Sequence, residues 1–391
     1  MNPRQALVLK PGKEKPIHNR HHWIFSGAVR SIPEGAEDGS ILPVESSTGE
    51  LLGHAYINRK CSIIGRMINF DGRPPLEALA ETIGRAVALR RDLFDAKTNA
   101  VRLVNGEGDG VPGLIVDRYA DVLVLQVSTL GMERLKPFIL DQLLERAAPR
   151  TVYERSNAAA RREEGLAPAE GLLYGPAVEI VEVLEDGLLF QVDIVRSQKT
   201  GMYLDQREMR RLVRTLAAKR RVLNAFSYTG GFAVHALAGG AVSAVSVDSS
   251  EAAVSLAAKN VGLNGFPAAP ADFVVADVFD FIRERPLDFD LVVLDPPAFA
   301  KKKGEVVAAC RGYKDLNRVV LQKVPPGTLV LTFSCSFFVE EALFRQVLFQ
   351  AAREADRRVR ILERHRQAHD HPVNIYHPES EYLKGFLLHV D

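Results

Sequence analysis

The sequence predicts an α/β protein in which a small N-terminal β-barrel precedes a parallel sheet covered by helices on both faces. Residues 1–72 consist of short apolar runs broken by Gly, Pro and Asn, which is typical of a small barrel. From residue 205 onward, strand-like apolar runs alternate with helical stretches, and this alternation predicts the parallel sheet. A chain of 391 residues also argues for two or three domains rather than one.

The segment between the barrel and the parallel sheet mixes helices with strands. Gly72-Arg73-Pro74-Pro75 has the composition of a linker, and apolar residues at helical spacing predict a helix over 76–94. The further predictions are a strand hairpin over 116–128, a helix over 131–148, a strand over 151–156, a loop over 156–175 and a hairpin over 178–194 that turns at Asp186-Gly187.

The elements of the parallel sheet follow one another in regular order. The predicted strands are VLNAF, AVSAVSVD, DFVVAD, FDLVVLD and GTLVLTFS, and the predicted helices cover 207–218, 231–238, 250–261, 278–284 and 339–354. In sheets of this kind ligands bind beyond the carboxyl ends of the strands. Residues that follow these strands are therefore the first candidates for a functional site.

Composition indicates a globular protein without a membrane span. Hydrophobic residues make up 47% and charged residues 25% of the chain, and no apolar run reaches the length of about 18 residues that a spanning helix needs. The N-terminal residues lack the apolar centre of a secretory signal. Three cysteines without C-x-x-C spacing argue against a disulfide framework or a cysteine-rich zinc site. These observations predict a cytoplasmic protein.

Basic residues are clustered although the net charge is only +1. The clusters lie in 85–102, 207–221 and 301–303. Local basic faces on a nearly neutral protein fit a nucleic-acid partner, although each cluster is equally well explained as a solvated helix face.

A glycine pair and two acidic residues predict a nucleoside-type cofactor. Gly230 and Gly231 follow the first strand of the sheet and permit a sharp turn before a helix. Asp248 and Asp277 end the next two strands, where Asp248 suits ribose hydroxyls and Asp277 could meet an adenine amino group. The dinucleotide fingerprint G-x-G-x-x-G is absent here, which favours S-adenosylmethionine over NAD.

Several motifs together resemble a known family. NAFSYTGGF, SVDSSEAAVSLAAKNVGLNG, ADVFDF, VVLDPPAF and TFSCS occur in the order found in Rossmann-fold S-adenosylmethionine-dependent methyltransferases. More narrowly, the chain resembles the bacterial 23S (large-subunit) ribosomal RNA cytosine-C5 methyltransferase family. HHWIFSGAV resembles the entry of a PUA domain, and LFDAKTNAVRLVNGEGDGVPGLIVDRY, KTGMYLDQRE, ACRGYKDLN and RQAHDHPV also match. The resemblance covers nearly the whole chain.

The resemblance implies three domains and an RNA partner. A PUA-like RNA-binding barrel is expected over 1–74, a central α+β domain over 75–188 and a Rossmann-like class I methyltransferase domain over 189–391. The implied partner is 23S ribosomal RNA, free or in an assembling large subunit, and a homodimer is left open. The expected cofactor is S-adenosylmethionine.

Cofactor-binding residues are predicted around the glycine pair and the strand ends. Arg207 suits the cofactor carboxylate because a guanidinium matches a carboxylate bidentately, with Gln206 and Tyr203 beside it. The other predicted cofactor residues are Phe226, Ser227, Tyr228, Thr229, Gly230, Asp248, Ser249, Asp277, Val278 and Asp295.

The resemblance places the chemistry on Cys335 and Asp295. A thiolate that adds to C6 of cytosine would make C5 nucleophilic, and cysteine suits this role as a strong nucleophile. Asp295 would hold or protonate the edge of the base. The target base must leave its stack, and the expected substrate contacts are Pro297, Phe299 as a stacking ring and Lys301 at a phosphate.

Alternatives remain open at each of these positions. A free cysteine such as Cys335 is most often a buried small hydrophobe. Some RNA cytosine-C5 methyltransferases carry a second cysteine beside the prolines, whereas this chain has Ala298 there. Cys310 is either structural or near the site, and the base that removes the C5 proton is unassigned.

Two other functions compete with cytosine-C5 methylation. The motif Asp295-Pro296-Pro297 resembles that of methyltransferases acting on exocyclic amino groups, although Ala298 interrupts it before the aromatic residue. A non-enzymatic RNA-binding assembly protein is the third possibility. No metal site is predicted, because His365, His369 and His371 lack the accompanying ligands of a metal centre.

Overall fold

The computed structural model describes residues 5–197, 200–267, 269 and 272–391. Residues 1–4 of the predicted barrel and Lys199 of the KTGMYLDQRE motif lie outside this part of the chain. The chain forms two compact units: the first contains Met1–Leu184, Val192–Leu204 and His369–Ser380, and the second contains Glu185–Gln191, Asp205–Ala368 and Glu381–Asp391. The packing thus places the regions expected as two separate domains in one unit. The three-domain boundaries stay a prediction.

The N-terminal part of the first unit is a six-stranded sheet. Its strands are β1 (Leu7–Leu9), β2 (Trp23–Phe25), β3 (Val29–Ser31), β4 (Ile41–Glu45), β5 (Leu51–Ile57) and β6 (Ile63–Asn69), with a short helix α1 (Lys15–His18) and a 3-10 turn (Ser26–Ala28). The order is β2-β6-β5-β4-β1-β3, and only the β1–β4 pair is parallel. Leu7, Leu9, Val44, Ile57 and Met67 form its buried core. These short strands confirm the β-structure predicted for the N-terminus.

The rest of the first unit is built on a five-stranded sheet. Its elements are α2 (Pro75–Leu93), β7 (Ala100–Asn105), a 3-10 turn (Gly106–Asp109), β8 (Leu114–Tyr119), β9 (Val122–Val127), α3 (Leu130–Arg134), α4 (Lys136–Ala147), β10 (Thr151–Ser156), α5 (Ala160–Glu163) and β11 (Ala169–Tyr174). The strand order is β11-β10-β9-β8-β7. The predicted helix over 131–148 is in fact two helices, since Pro137 lies in the first turn of α4 and favours a helix start there.

The loop predicted over 156–175 is wrong in part. It contains α5 and β11, and β11 pairs antiparallel with β10. No residue of β11 is fully buried, and Leu173 packs only partly buried against the core, so the backbone ladder to β10 is the main contact of this strand. The hairpin predicted over 178–194 is confirmed. Strands β12 (Ile180–Glu185) and β13 (Leu188–Asp193) are joined by a turn at Asp186 and Gly187, whose φ angles are +52° and +79°.

The second unit contains a seven-stranded sheet flanked by helices. Its strands are β14 (Arg221–Ala225), β15 (Ser243–Asp248), β16 (Phe273–Val275), β17 (Leu291–Leu294), β18 (Leu329–Ser334), β19 (Val359–His365) and β20 (Lys384–Val390). Its helices are α6 (Arg207–Leu216), α7 (Gly231–Ala238), α8 (Glu251–Leu263), α9 (Val278–Glu284), α10 (Val306–Lys323) and α11 (Glu341–Glu354). Short 3-10 turns cover Lys303–Glu305 in this unit, Pro378–Ser380 in the first unit, and Leu204–Gln206, where the chain passes from the first unit to the second.

The sheet order is β16-β15-β14-β17-β18-β20-β19. The five predicted strands, β14 to β18, pair in parallel, as expected. The prediction missed β19 and β20, which extend the sheet antiparallel beyond β18, and it missed α10. β19 is almost entirely exposed, and its apolar Val359, Ile361 and Leu362 do not alternate between a buried and an exposed face. Helix α10 does have a helical apolar pattern in its sequence. Its buried residues recur every three or four positions, at Ala309, Tyr313, Leu316 and Val320.

Apolar side chains cover both faces of this sheet. Successive residues of a strand point to opposite faces, so Val292 and Leu294 of β17 join the core under α9, α10 and α11. Leu291 and Val293 of the same strand join the core under α6 and α7. Both faces of β17 are therefore buried, which fixes this strand firmly in the sheet. Within the described residues, every helix is too short or too polar to span a membrane.

Gly239, at the end of α7, tests this packing. An added Cβ would lie 2.0 Å from the backbone oxygen of Arg214, so the Gly239→Ala variant must displace backbone. We expect it to lose about 1–3 kcal/mol of unfolding free energy, measured by urea denaturation followed by circular dichroism. Gly262→Ala is the matched control, because a Cβ there meets nothing within 4 Å and the position is helical. Equal stabilities of the two variants would contradict the packing argument.

Candidate active site

The strand order brings the predicted functional residues to one edge of the second unit. Phe226, Asp295 and Cys335 directly follow β14, β17 and β18, while Asp248 ends β15 and Asp277 follows β16. Neighbouring strands lie about 4.8 Å apart, so these residues form a row along the carboxyl edge. The strand order reverses between β14 and β17, and sheets of this kind open a ligand crevice at such a reversal.

The loop between β14 and α7 has an unusual backbone. Phe226, Tyr228 and Gly230 have φ angles of +59°, +45° and +79°. Left-handed conformations at non-glycine residues cost free energy and are concentrated at functional sites. Neighbouring strand β15 holds the loop in place: Tyr228 N donates to Asp248 Oδ2 at 2.9 Å, and Ser227 N donates to the Val247 carbonyl at 3.0 Å.

The two acidic strand ends have different local roles. Asp248 is half-buried and its Oδ1 also accepts from Ser250 N at 3.0 Å, so it connects the loop to the start of α8. Asp277 is exposed and caps α9, where its Oδ1 accepts from Phe279 N at 2.8 Å and from Asp280 N at 3.2 Å. Both carboxylates stand at the crevice edge.

The crevice loop contains a buried polar atom that the described residues leave unsatisfied. Ser227 is 5% exposed, and its Oγ has no hydrogen-bond partner among them. Buried hydroxyls are normally satisfied, so this one fits a site completed by a ligand with polar groups. Gly230 is required for packing as well, since an added Cβ would lie 2.8 Å from Ala257 Cβ.

The remaining predicted cofactor residues occupy varied surroundings. Thr229 is buried, Ser249 is exposed, and Val278 is buried in the core between the sheet and α9. Tyr203 belongs to the first unit. The cofactor contacts of all of these residues stay predictions.

Asp295 and Cys335 lie on adjacent strands and share a loop contact. The Cys335 thiol donates to the Pro296 carbonyl with an Sγ–O distance of 3.6 Å. Gln206 is 2% exposed, and its Nε2 donates to Asp295 Oδ1 at 2.9 Å. The structure thus brings together three of the predicted residues, a carboxylate oriented by an amide and a thiol beside it.

Arg207 lies in a buried ion cluster that the sequence analysis missed. It is fully buried, and its Nε lies 3.3 Å from Glu185 Oε2, while Arg210 and His235 also bind the Glu185 carboxylate. Burial alone would raise the pKa of Glu185, but Arg210, His235 and Arg207 hold it well below its ordinary value. The guanidinium of Arg207 is therefore already engaged with a protein carboxylate. Its predicted contact with the cofactor carboxylate remains a prediction that this pairing does not favour.

The predicted substrate residues follow Asp295 along the chain. Pro297 and the side chain of Lys301 are exposed. Phe299 is half-buried, with its ring centroid 4.5 Å from that of Tyr313 and 6.1 Å from that of Phe279. Phe299 thus has a structural partner on α10, and its role in stacking on a base stays a prediction.

Ser336, Tyr313 and Lys384 are further site residues that the sequence analysis missed. Ser336 Oγ accepts from Ala300 N at 3.1 Å and lies 2.9 Å from the Tyr313 hydroxyl. Lys384 Nζ donates to the Ser336 carbonyl at 2.7 Å. These contacts join the loops after β17 and β18 to the start of β20. Only the sequence around Ser336, beside the predicted nucleophile, could have drawn attention to them.

Cys310 lies on α10, and its thiol packs against the core under α9, α10 and α11. Burial raises the pKa of this thiol, so it is held as a neutral group. This surrounding supports the structural alternative for Cys310.

One histidine cluster in the first unit has the composition of a metal site. His21, His377 and Glu379 present ligand atoms within 4.8 Å of one another. However, His21 Nδ1 accepts from Trp23 N at 3.2 Å, so in a neutral ring the proton is on Nε2, which lies 3.3 Å from Glu379 Oε2. That arrangement uses both nitrogens of His21 in hydrogen bonds. We therefore interpret the cluster as a hydrogen-bonded contact.

Family models match both ends of this architecture. The model described as S-adenosylmethionine-dependent methyltransferase matches residues 139–377, more than half of the chain. A PUA-like domain model matches residues 7–70. The PUA-like character of the N-terminal domain and the S-adenosylmethionine cofactor, both predicted from the sequence, are thereby confirmed. Ser227, Asp248 and the loop around them provide polar groups that fit such a cofactor.

Solved structures support the fold. One similar structure is that of a Streptococcus mutans protein, which is described as a SAM-dependent methyltransferase without an established activity. Its TM-score is 0.83 at 24% sequence identity, and the match covers 98% of this chain and 100% of that protein. A protein described as a methyltransferase, in complex with SAH, has a TM-score of 0.84 at the same 24% identity and covers 98% and 100% of the two chains.

Closer relatives share the whole length of the chain. The "Ribosomal RNA large subunit methyltransferase I" of Shewanella denitrificans is 40% identical over 393 residues, which cover 98% of this chain and 99% of the relative. The protein of the same name from Erwinia tasmaniensis is 39% identical over 395 residues, with the same coverage of 98% and 99%. The chain therefore belongs to the ribosomal RNA large subunit methyltransferase I family of S-adenosylmethionine-dependent methyltransferases.

Proposed function

We propose that this protein methylates C5 of a cytosine in 23S ribosomal RNA through a covalent bond between Cys335 and C6 of the base. The observation that carries the proposal is the position of Cys335 and Asp295 at the ends of adjacent parallel strands, joined by the 3.6 Å contact between Sγ and the Pro296 carbonyl. A thiol beside a carboxylate, at the edge where cofactors bind, suits nucleophilic attack on a pyrimidine.

The residues divide the chemistry between them. When bound, S-adenosylmethionine supplies a methyl group on a positively charged sulfur. Cys335, as a thiolate, attacks C6 of the flipped cytosine, and the electron pair displaced from the C5–C6 double bond makes C5 nucleophilic. Asp295, oriented by Gln206, holds or protonates the edge of the base and makes C6 more electrophilic. After C5 is methylated, water takes up the C5 proton, and the electron pair of the C5–H bond re-forms the C5–C6 double bond. The pair of the sulfur–C6 bond returns to Cys335, and the aromatic ring is restored.

A cavity in the first unit supports RNA as the partner. It has a volume of about 710 Å³, and its lining includes Arg20, Arg73, Arg85, Phe70 and Tyr376. The guanidinium carbon of Arg20 lies 5.7 Å from the centroid of the Tyr376 ring, which is 49% exposed. Arginines beside an accessible aromatic ring suit phosphates and an unstacked base. The large-subunit RNA is inferred from the names of the relatives.

The Asp-Pro-Pro motif also favours a second candidate, methylation of an exocyclic amino group. That chemistry needs no thiol, so it gives Cys335 no role. The contact between Cys335 and the loop of the motif favours C5 methylation instead. A purely structural RNA-binding role gives the strained crevice loop no purpose.

Replacing Cys335 tests the covalent mechanism. We expect Cys335→Ala to reduce methyl transfer to RNA at least about a thousandfold, because the attacking group is lost. The measurement is transfer of labelled methyl from S-adenosylmethionine to ribosomal RNA from a strain that lacks the enzyme. Cys310→Ser is the matched control and should keep its activity.

The position of the product methyl group separates the candidate functions. Mass spectrometry of nucleosides from the product RNA should show 5-methylcytidine, and bisulfite sequencing should locate it in 23S RNA. A methyl on an exocyclic nitrogen, or full activity of Cys335→Ala, would overturn the proposal.

Tyr376 and Arg20 test the RNA contact. We expect Tyr376→Ala and Arg20→Ala each to weaken RNA binding by about 1–3 kcal/mol, since a stacking platform or its cation is lost. Binding is measured by fluorescence anisotropy with RNA at two salt concentrations. Tyr174→Ala removes a comparably exposed tyrosine, 45% exposed, outside the cavity and should bind like the unaltered protein. Equal loss in all three variants would contradict a specific role for the cavity.

A further inference from the structure

Lys384 is a buried lysine beside the predicted nucleophile. It begins β20, and in the antiparallel pairing with β18 it lies opposite Ser334, the residue before Cys335. Only 7% of Lys384 is exposed. Its Nζ donates to the carbonyls of Ser336 and Tyr382 at 2.7 and 2.8 Å. The ammonium group is thus fixed by two backbone acceptors, one directly after Cys335 and one two residues before Lys384 itself.

The charges of Glu381 and Glu340 act on the Lys384 ammonium, but neither carboxylate contacts Nζ directly. Both hydrogen-bond acceptors are neutral, and among the described residues no carboxylate forms an ion pair with Nζ. A buried ammonium without an anion is costly, and a lysine in this situation shifts its pKa readily. Here burial lowers the pKa of Lys384 to about 8, while the charge of Cys335 acts in the opposite direction and favours the ammonium. At pH 7 the group is therefore still mainly protonated.

We propose that the Lys384 ammonium is the counter-ion of the Cys335 thiolate, so that Lys384 is a positioning residue that acts through the nucleophile. The inference rests on the proposed role of Cys335, but it concerns the thiol before any RNA binds. The thiolate and the ammonium carry opposite charges, so each favours the charged form of the other. A cation adjacent to a thiol lowers the free energy of the thiolate, which is the form that attacks C6.

Protons and electrons balance without a further reagent. The Cys335 thiol loses its proton to water, and the sulfur electron pair forms the bond to C6. When that bond breaks, the pair returns to sulfur and restores the thiolate. Lys384 keeps its three protons throughout, so it stabilises the sulfur as both attacking and leaving group.

Other titratable groups surround this pair, and the carboxylate of Asp295, after the adjacent strand β17, disfavours a thiolate at Cys335. Glu381 precedes β20 and Glu340 precedes α11, and both favour the Lys384 ammonium. Tyr313 on α10 faces Cys335, and burial raises the pKa of its hydroxyl, so it is neutral near pH 7. On β19, burial lowers the pKa of His365, which packs against Gly385. Among these groups, Lys384 is the cation that remains near neutral pH.

The test measures alkylation of Cys335 by iodoacetamide as a function of pH, with peptide mass spectrometry to resolve the three cysteines. In the unaltered protein, the rate should reach half its maximum below pH 8.5, the ordinary thiol value. Cys61 and Cys310 are internal references, because burial raises the pKa of both thiols, to about 11 for Cys61. A half-maximum for Cys335 at or above 8.5 would overturn the inference without any variant.

The second part of the experiment removes the charge of Lys384. Lys384→Met keeps an unbranched side chain, and we expect it to lower the Cys335 alkylation rate at pH 7 about tenfold and to shift the profile upward by about one pH unit. Lys384→Arg keeps the charge, so the half-maximum of Cys335 alkylation should stay below pH 8.5 in this variant. Lys314→Met is the matched control, since Lys314 pairs with Glu354 on the surface, and it should react like the unaltered protein.

The outcomes separate this inference from the proposed function. Circular dichroism and calorimetry with S-adenosylmethionine verify that each variant is folded. An unchanged alkylation profile in folded Lys384→Met overturns the role of Lys384 even if methylation proceeds through Cys335. Full methylation by Cys335→Ala overturns the covalent mechanism whatever the alkylation profile shows.

Discussion

Parallel pairing of β17 with β18 is the constraint on which the site depends. Leu294 lies opposite Thr332 in this ladder, and β18 continues for two more residues, so Asp295 and Cys335 leave adjacent strands at the same edge with an offset of two residues. All residues of both strands are buried. A slip of one residue would turn every side chain to the opposite face and disrupt both cores. The apolar packing of the sheet therefore fixes the distance between the carboxylate and the thiol.

The sheet sets where the loops after its strands begin, and polar contacts hold these loops in place. Ser336 joins the loop after β17 to α10 through Ala300 and Tyr313, while Asp248 holds the strained loop after β14. The strain at Phe226 and Tyr228 persists because strong interactions surround it on a rigid sheet. Rigid strands and firmly tied loops together provide the preorganised edge that catalysis needs.

The sequence was sufficient for the features that repeat along the chain. Five parallel strands and the order of Asp248, Asp277, Asp295 and Cys335 follow from apolar runs that end in polar residues. Features that depend on distant partners could not be derived in this way. Arg207 is predicted to meet the cofactor because a guanidinium suits a carboxylate, and that contact stays a prediction. Its pairing with Glu185, more than twenty residues away in sequence, could not be foreseen. No local pattern identifies such a pairing.

The pairing of the edge strands β19 and β11 could not be predicted from local sequence either. β19 and β11 have few buried side chains, so their hydrogen bonds to neighbouring strands leave no trace in the order of apolar residues. Lys384 was missed for a related reason. Ligand-binding residues are expected at the ends of parallel strands, and Lys384 is at the beginning of an antiparallel one.

Because β20 runs antiparallel to β18, residues from the beginning of a strand also reach this edge of the sheet. In a wholly parallel sheet, every residue delivered to the ligand-binding edge comes from the exit of a strand. Because β20 runs against β18, its entrance is at that edge as well. The thiol and the ammonium therefore belong to separate stretches of chain, each of which can change by substitution without altering the other's backbone. A sheet with one inverted strand can thus vary the charge beside the proposed nucleophile independently of the loop that carries the thiol.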